Sequence, residues 1–580
     1  MKTRSISAAA KLSVLGLLAY TALLGACSGL IEPLETGARS TRTGDAGEGE
    51  AANTRDARVV EDEPRGEEEV EDGGEPADGG PAPSERDATV AARDAGRDAA
   101  GPVDAGSAAP DAGTPASTGC GANGPFAKGL KVRELALYQT VKVSLYKSGA
   151  WATTTPVPVV AGKKALVRVF VDTQAGYAAH AVRAVLTLKS AQGETKLENE
   201  RTIAASSTDA DEATTFGFTV EPSKLTPDTQ LSVSLEEIDC GAQGGQASDA
   251  RLPATGTQAV GVEAIGKLKV VVLPIDIGGR LPKTDDAELA KIRAVLLAFY
   301  PVPDVEVTVR ATPFTGPSAV TGADSATWSN VLNSVMRERA NDRVASNVYY
   351  FGLMQPAATF ATFCQRGCIL GIAPQSARVS ASAQAGLAAY FSDNQSMETI
   401  VHELGHAHGR GHAPCVKAGS IEGVDGNFPD MAGGILDWGW DSRTSKLISP
   451  ASYKDIMGYC SPNWISGYTY GGLATRSKAV NTLALVHGGE SATTWQNVLL
   501  YADGSARWGG AFETRMPGGD VETATVLDAS GQSIETIQVT RLVLSHTDDV
   551  IVYLPSPGAR WASVVLRDRT LSLSTILPAL

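Results

Sequence analysis

The chain contains the stretch His402-Glu403-Leu404-Gly405-His406-Ala407-His408-Gly409-Arg410-Gly411-His412. On a helix, His402 and His406 are one turn apart and project from the same face. Gly409 can adopt a positive φ, and the turn that it allows would bring His412 back towards them. Three imidazoles that converge in this way suit one Zn²⁺ ion, and Glu403 beside them is a candidate general base. We therefore predict that His402, His406 and His412 are the protein ligands of a single zinc ion.

A methionine turn downstream is the second signal. The segment Asp455-Ile456-Met457-Gly458-Tyr459 follows the histidine stretch, and Met457 lies 45 positions after His412. The long pattern H-E-x-x-H-x-x-G-x-x-H followed by such a turn resembles the metzincin zinc endopeptidases. The resemblance implies a catalytic domain over residues 265–470, in which a twisted sheet and two helices form an upper part and the second helix carries the zinc motif. It also implies that Met457 is not a ligand and that its thioether forms an apolar floor beneath the histidines.

The same resemblance implies a catalytic role for Tyr459. This residue follows Met457 by two positions, which matches the additional tyrosine of astacins and serralysins. In that case the phenol oxygen would bind the metal at rest and donate a hydrogen bond to the oxyanion during hydrolysis. The alternative is that Tyr459 only packs beside Cys460 and Trp464. Glu403 and Tyr459 are therefore the predicted catalytic residues.

A narrower resemblance concerns the substrate. The segments Gly439-Trp440-Asp441 and Gly409-Arg410-Gly411-His412 are similar to those of StcE-type metalloproteases, which cut glycoproteins. We therefore expect a protein or glycoprotein substrate. It would bind in extended form along an edge strand formed by Cys368–Ile372.

Two other functions stay open at this point. One is a lipid-anchored adhesin or glycan-binding protein whose zinc site is structural, and the other is a zinc hydrolase that acts on bonds other than peptides. Three-histidine zinc sites usually keep an open coordination position, which favours an enzyme. Glu403 would also have no task in a purely structural site. The function that the residues favour is a zinc-dependent endopeptidase.

The first residues have the features of a lipoprotein signal peptide. A basic start precedes the apolar run Leu12–Leu24, which is too short to span a bilayer as a permanent helix. Leu24-Gly25-Ala26-Cys27 resembles a bacterial lipobox, which implies cleavage after residues 1–26 and lipidation of Cys27. The alternative is an ordinary signal peptide with a chance cysteine. We expect a protein of the bacterial cell envelope, anchored by lipid in the outer membrane because Ser28 follows the cysteine, and releasable to the exterior.

An acidic segment follows the lipidated cysteine. Residues 29–118 contain no Phe, Tyr or Trp, and their 22 acidic and 8 basic side chains account for nearly all of the chain's net charge of −15. Such a composition cannot bury enough apolar surface to offset the entropy of ordering the chain. We therefore predict a disordered tether over residues 27–118. The remainder is near neutral, so a nucleic-acid partner is not expected.

Alternating apolar residues flank the catalytic region on both sides. Val141, Val143 and Leu145 alternate with polar residues before it, and a similar pattern returns after Gly471. Such alternation predicts strands with one buried face. The predicted fold class is therefore multidomain α+β, with a metzincin domain between two β-sandwich domains, residues 119–264 and 471–580. We expect a monomer.

Six cysteines remain besides Cys27, in a compartment where disulfides persist. Six cysteines allow fifteen pairings, and the sequence does not choose among them. The pairs that we predict are Cys120–Cys240, Cys364–Cys368 and Cys415–Cys460. An alternative role for Cys120 is a latency switch in which its thiolate occupies the zinc.

Overall fold

The structure, a computed structural model, describes residues 124–365, 368–416, 423–486 and 493–576. The predicted signal peptide, the lipidated Cys27, the acidic tether and Cys120 all lie outside the described residues. Within those ranges no helix is both long and apolar enough to cross a membrane. The described part is mainly β-sheet, and the strands form several separate sheets.

The first strands form two antiparallel sheets around one apolar core. The elements are β1 Leu130–Lys147, β2 Ala150–Trp151, β3 Val159–Val160, β4 Ala165–Thr173, β5 His180–Ser190, β6 Gly193–Ile203, β7 Thr215–Val220, β8 Gln230–Glu237, α1 Ala247–Ala250, β9 Arg251–Leu252, β10 Gln258–Ala259 and β11 Val262–Glu263, with 3₁₀ turns at Glu212–Thr214 and Pro222–Lys224. In one sheet β4 lies between β1 and β7, and in the other β5 lies between β6 and β8. Alternate residues such as Val167 of β4 and Leu186 of β5 face the shared core, because successive side chains of a strand point to opposite faces.

A mostly parallel sheet follows in the chain. Its region contains β12 Leu268–Asp276, α2 Asp286–Phe299, β13 Val305–Val309, β14 Phe314–Thr315, α3 Ser325–Asn341, β15 Val348–Met354, α4 Phe360–Phe363, β16 Gly371–Ile372, β17 Pro374–Gln375, a 3₁₀ turn Ala381–Ala383, β18 Ala385–Ala389 and α5 Asn394–Ala407. The strand order is β13-β12-β15-β18-β16. Four of these strands run parallel, and the edge strand β16 pairs antiparallel with β18.

Two helices cover one side of this sheet. Ile292 and Leu296 of α2 belong to the same buried cluster as Ile400 and Leu404 of α5. The Tyr300 hydroxyl, just after α2, donates a hydrogen bond to the Val401 carbonyl of α5 over 3.1 Å. Helix α3 belongs to a separate buried cluster, which also contains residues of β15 and β18. The histidine helix α5 therefore packs against both α2 and the sheet.

The segment after the histidine stretch returns to the first pair of sheets. It contains β19 Gly439–Asp441, β20 Lys446–Ile448, β21 Lys454–Asp455 and β22 Asn463–Trp464. Strand β19 pairs with β1, so that this sheet has the order β20-β19-β1-β4-β7. Trp440 of β19 is buried against that sheet, and the Trp464 indole donates to the Thr140 carbonyl over 2.9 Å. The boundary expected between residues 264 and 265 is therefore crossed by a continuous sheet.

A long helix replaces the first strands expected after residue 470. This helix, α6, spans Gly467–Val486. Leu473, Ala474, Ser477 and Val480 are buried at helical spacing. The prediction that strands resume at Gly471 is wrong for this segment, which is a helix with its buried positions at helical spacing.

The last strands form one continuous antiparallel sheet. They are β23 Thr493–Leu500, β24 Ala506–Thr514, β25 Asp520–Leu527, β26 Ser533–Leu544, β27 Val550–Pro555, β28 Ser563–Leu566 and β29 Arg569–Ser572, followed by α7 Leu573–Ile576. The order is β24-β23-β27-β26-β25-β28-β29, and the short strand β17 of the central region pairs with β26. We expected a second sandwich here. The structure has a single sheet in which both faces are buried. Val498 belongs to a core formed by residues of this sheet and α7, while Leu499 belongs to the core shared with α3.

Candidate active site

Helix α5 places the first two histidines of the motif. Its first turn is capped by Asp393, whose carboxylate accepts a hydrogen bond from the Ser396 backbone N–H over 2.8 Å. The helix ends at Ala407, and Gly409 follows with φ of +81°. A side chain at that position would also lie 2.9 Å from the Ser376 carbonyl, so both the backbone angle and the space require glycine. The turn returns the chain to the site at His412.

The three predicted ligands converge. Nε2 of His406 lies 3.0 Å from Nε2 of His402 and 3.0 Å from Nε2 of His412. The Nδ1 groups of His402 and His406 donate to the carbonyls of Ile456 and Arg410, each over 2.7 Å. These bonds orient the rings and leave Nε2 to bind a metal. Two nitrogens on one tetrahedral zinc are about 3.3 Å apart, so the set fits this ion.

Burial keeps the imidazoles of His402 and His406 in the neutral form. Desolvation lowers the pKa of His402 to about 3, and it lowers the pKa of His406 well below the usual value with a further contribution from His412. Neutral imidazole is the form that binds zinc. His408, the remaining histidine of the stretch, points elsewhere: its Nδ1 donates to the Leu404 carbonyl over 2.7 Å and its ring stacks on Tyr349.

Glu403 is buried next to this cluster, with 1% of its surface exposed. Burial raises the pKa of its carboxyl group to about 7. Oε2 of Glu403 accepts a hydrogen bond from the Ser545 hydroxyl over 3.0 Å. On the other side, Gly371 of β16 lies so close that a Cβ there would be 2.5 Å from Oε1. The carboxylate is therefore fixed between the edge of the central sheet and the last sheet.

The turn that carries Met457 lies against the histidine helix α5. Met457 is buried, and a Cβ added at Gly405 of α5 would lie 2.5 Å from its sulfur. The Asp455 carboxylate accepts hydrogen bonds from the backbone N–H groups of Met457 and Ser466, each over 2.8 Å. Burial raises the pKa of Asp455. The turn is thus held by a buried carboxylate, and the thioether contacts the helix at a glycine.

Tyr459 directs its hydroxyl into the site. Its oxygen lies 3.3 Å from Nε2 of His412 and 2.5 Å from Nδ1 of His546, and the side chain is 40% exposed. Its backbone N–H donates to the Cys415 carbonyl over 2.7 Å. The phenol is therefore placed beside the histidine cluster at the surface of the cleft.

Two of the predicted disulfides are present. Cys415 is bonded to Cys460, which connects the segment after His412 to the residue after Tyr459. Cys364 is bonded to Cys368. The third predicted pair contains Cys120, outside the described residues.

Sequence reasoning missed two residues of the site, Ser545 and His546. Both lie in the turn between β26 and β27. Together with His402, His406 and His412, His546 forms a group in which one ligand atom from each residue lies within 4.8 Å of the others. In the sequence these two residues lie between two alternating runs, which indicates a turn. A turn does not show which part of the chain it will contact.

A cleft of about 670 Å³ opens in front of the cluster. Its walls include the edge strand β16, the second turn of α5 and the segment after the methionine. Residues that line it include Leu370, Gly371, Thr399, Gly458, Asn463 and His546. The edge strand predicted near residues 368–372 is thus observed as Gly371–Ile372, at the side of this cleft.

A family model described as Peptidase M66 matches residues 378–464. The matched range contains all of α5, His412 and the methionine turn. No curated protein matches the chain. Peptidase M66 is a zinc metallopeptidase family, and the buried histidine cluster could bind one zinc ion. The match and the cluster together indicate a zinc-dependent peptidase.

Proposed function

We propose that the protein is an endopeptidase of the metzincin type that hydrolyses extracellular proteins or glycoproteins at a bacterial cell surface. The observation that carries this proposal is the convergence of three imidazoles beside the Glu403 carboxylate in an open cleft. The order β12-α2-β13-β14-α3-β15-α4-β16-β17-β18-α5, with the buried Met457 against the histidine helix, supports the metzincin assignment.

The edge strand supports cleavage within a chain. Strand β16 ends the central sheet antiparallel to its neighbour, beside the cleft. A substrate in extended conformation can add to such an edge through main-chain hydrogen bonds. Binding of this kind holds a peptide along its length and does not depend on its termini. It therefore suits an endopeptidase.

Glu403 is the general base of the proposed reaction. A zinc ion held by His402, His406 and His412 would supply Lewis-acid polarisation and lower the pKa of bound water to about 7. The Glu403 carboxylate accepts the proton of the attacking water and delivers it to the leaving amine. Ser545 holds one carboxylate oxygen, so the other is oriented for this transfer. Tyr459 contributes a hydroxyl that donates to the oxyanion of the scissile carbonyl.

Attachment to the membrane rests on the sequence around Cys27. The apolar run and the lipobox support lipidation of this cysteine, with the acidic tether separating the catalytic part from the outer membrane. Incorporation of an alkyne fatty acid into wild type and not into Cys27→Ser is the expected result. Equal labelling of the two would contradict the anchor without affecting the peptidase assignment.

The peptidase assignment is tested with the full-length chain in detergent. After zinc reconstitution, elemental analysis should find about one zinc per chain. A proteome-derived peptide library and a glycoprotein set, with and without enzymatic deglycosylation, then report cleavage sites by mass spectrometry. Glu403→Ala is the control, because it removes the base and no ligand. Equal cleavage by this variant, or a zinc content near zero, would overturn the proposal.

A further inference from the structure

A turn of the last sheet enters the active site. His546, in the turn between β26 and β27, places its ring centre 5.2 Å from that of His402, 5.3 Å from that of His406 and 4.8 Å from that of His412. The three motif histidines are separated from one another by 4.5 to 5.3 Å in the same measure. Four imidazoles on one tetrahedral zinc have ring centres about 5 Å apart. His546 thus completes a four-histidine cluster.

The two ring nitrogens of His546 have different surroundings. Nδ1 lies 2.5 Å from the Tyr459 hydroxyl, an outer hydrogen bond of the kind that orients metal-binding imidazoles. Nε2 is buried, and among the residues that the structure describes it has no hydrogen-bond partner. Oε1 of Glu403 lies 2.9 Å from Nε2, an ion-pair distance when the imidazole is protonated. A buried nitrogen without a hydrogen bond in the described part of the chain therefore belongs to a residue of the cluster.

The turn that carries His546 is anchored to the central region. Ser545 exchanges two hydrogen bonds of 2.9 Å with Ala373, through its backbone N–H and its hydroxyl. At the other end of the turn, the Asp549 carboxylate accepts from the Ser329 hydroxyl over 2.6 Å and from the Ala502 backbone N–H over 2.9 Å. His546 is therefore held at the cluster from both sides.

The backbone of His546 is unusual for a residue with a side chain. Its φ is +59°, in the left-handed region that favours glycine and asparagine. Such conformations cluster at functional sites, where the surrounding structure maintains them. Here the conformation directs the imidazole inwards, so that 14% of the side chain is exposed. The geometry of the turn alone therefore does not explain why this residue is a histidine.

We propose that His546 is a fourth ligand of the metal in the resting protein. This inference rests on the proposed function. It adds that the resting site is blocked against the attacking water. The space next to Oε1 of Glu403, which the attacking water must take, contains Nε2 of His546. Hydrolysis then requires this imidazole to leave, and the last sheet controls access to the site.

The experiment compares the zinc-loaded full-length protein with His546→Phe and His546→Asn. Asparagine tolerates the left-handed φ, so that variant preserves the turn if phenylalanine does not. Asp548→Asn, an exposed change in the same turn, is the matched control. Transfer of zinc to a chromogenic chelator should be at least about tenfold faster for both His546 variants. The visible absorption of the cobalt-substituted protein should change in both and stay unaltered in the control.

Hydrolysis of a fluorogenic peptide gives a second readout. The His546 variants should cleave faster than wild type, because the place of the water is free. Equal chelator transfer and equal cobalt spectra for all proteins would overturn the fourth-ligand assignment, as would slower cleavage with unchanged metal binding. If metal binding changes as expected and neither wild type nor the variants cut any peptide, the fourth ligand stands and the proposed peptidase function fails.

Discussion

The Ser545 hydroxyl donates a hydrogen bond to Oε2 of Glu403 over 3.0 Å, although 142 residues separate them. The same hydroxyl accepts from the Ala373 backbone N–H, so it connects the general base to both the central and the last sheet. Buried carboxylates need such partners, because a charge without them is costly to desolvate. The last sheet is thus part of the active site.

Replacing Ser545 by alanine should misorient the carboxylate and leave the histidines intact. We expect kcat to fall about ten- to hundredfold with KM and zinc content unchanged, since a hydrogen bond to a charged group contributes about 1.5–3 kcal/mol. Steady-state kinetics and elemental analysis measure these effects. Ser530→Ala, in an exposed turn of the same sheet, is the control. A kcat equal to that of wild type would mean that Ser545 does not orient the base.

Local spacing explains what could be predicted from the sequence. His402 and His406 are one helical turn apart, and Gly409 permits the turn to His412, so the cluster follows from backbone geometry. The cysteine pair Cys415–Cys460 likewise lies beside two motifs that must meet. These features need no knowledge of distant segments.

Features that depend on distant pairing could not be predicted. His546 reaches the cluster only because β26 pairs with β17, a contact between segments that share no sequence pattern. The pairing of Trp440 in β19 with Thr140 in β1 likewise joins segments that are far apart in the sequence. Alternation shows that a strand has a buried face and does not show what covers it. The helix α6 was missed for a different reason, since its glycines weaken the helical pattern around Leu473.

Gly405→Ala should disturb the floor of the metal site. The added Cβ would lie 2.5 Å from the Met457 sulfur, so the methionine or the helix must shift. Overpacking of this kind typically costs about 1–3 kcal/mol. We expect a lower Tm and faster loss of zinc to a chelator, measured by calorimetry and absorbance. Gly426→Ala, where nothing lies within 4 Å of an added Cβ, is the control and should leave both quantities unchanged. An unaltered rate of zinc loss would show that Met457 does not support the histidines.

Tyr459→Phe removes one hydroxyl and keeps the ring. If the hydroxyl donates to the oxyanion, its loss should lower kcat at least about tenfold with little change in KM. Because Tyr459 also contacts His546, the substitution is best measured in both the wild-type and the His546→Phe background. The fall in kcat should persist in the second background, where only the catalytic role remains. Tyr453→Phe is the control, and an unchanged kcat in both backgrounds would reduce Tyr459 to a packing residue.

Lys163 connects the first sheets to the end of helix α2, and its Nζ donates to the Leu297 and Tyr300 carbonyls. Burial lowers the pKa of Lys163 from 10.5 to about 7. Above pH 7 the folded state therefore binds fewer protons at this site than the unfolded state, so the contribution of Lys163 to the free energy of unfolding rises with pH between about 7 and 10.

Lys163→Met removes this dependence. The difference in unfolding free energy between wild type and this variant, from denaturant titrations, should grow in favour of wild type across that range. Lys164→Met serves as the neighbouring control, and a difference for Lys163→Met that is constant with pH would show that the buried amine keeps its proton.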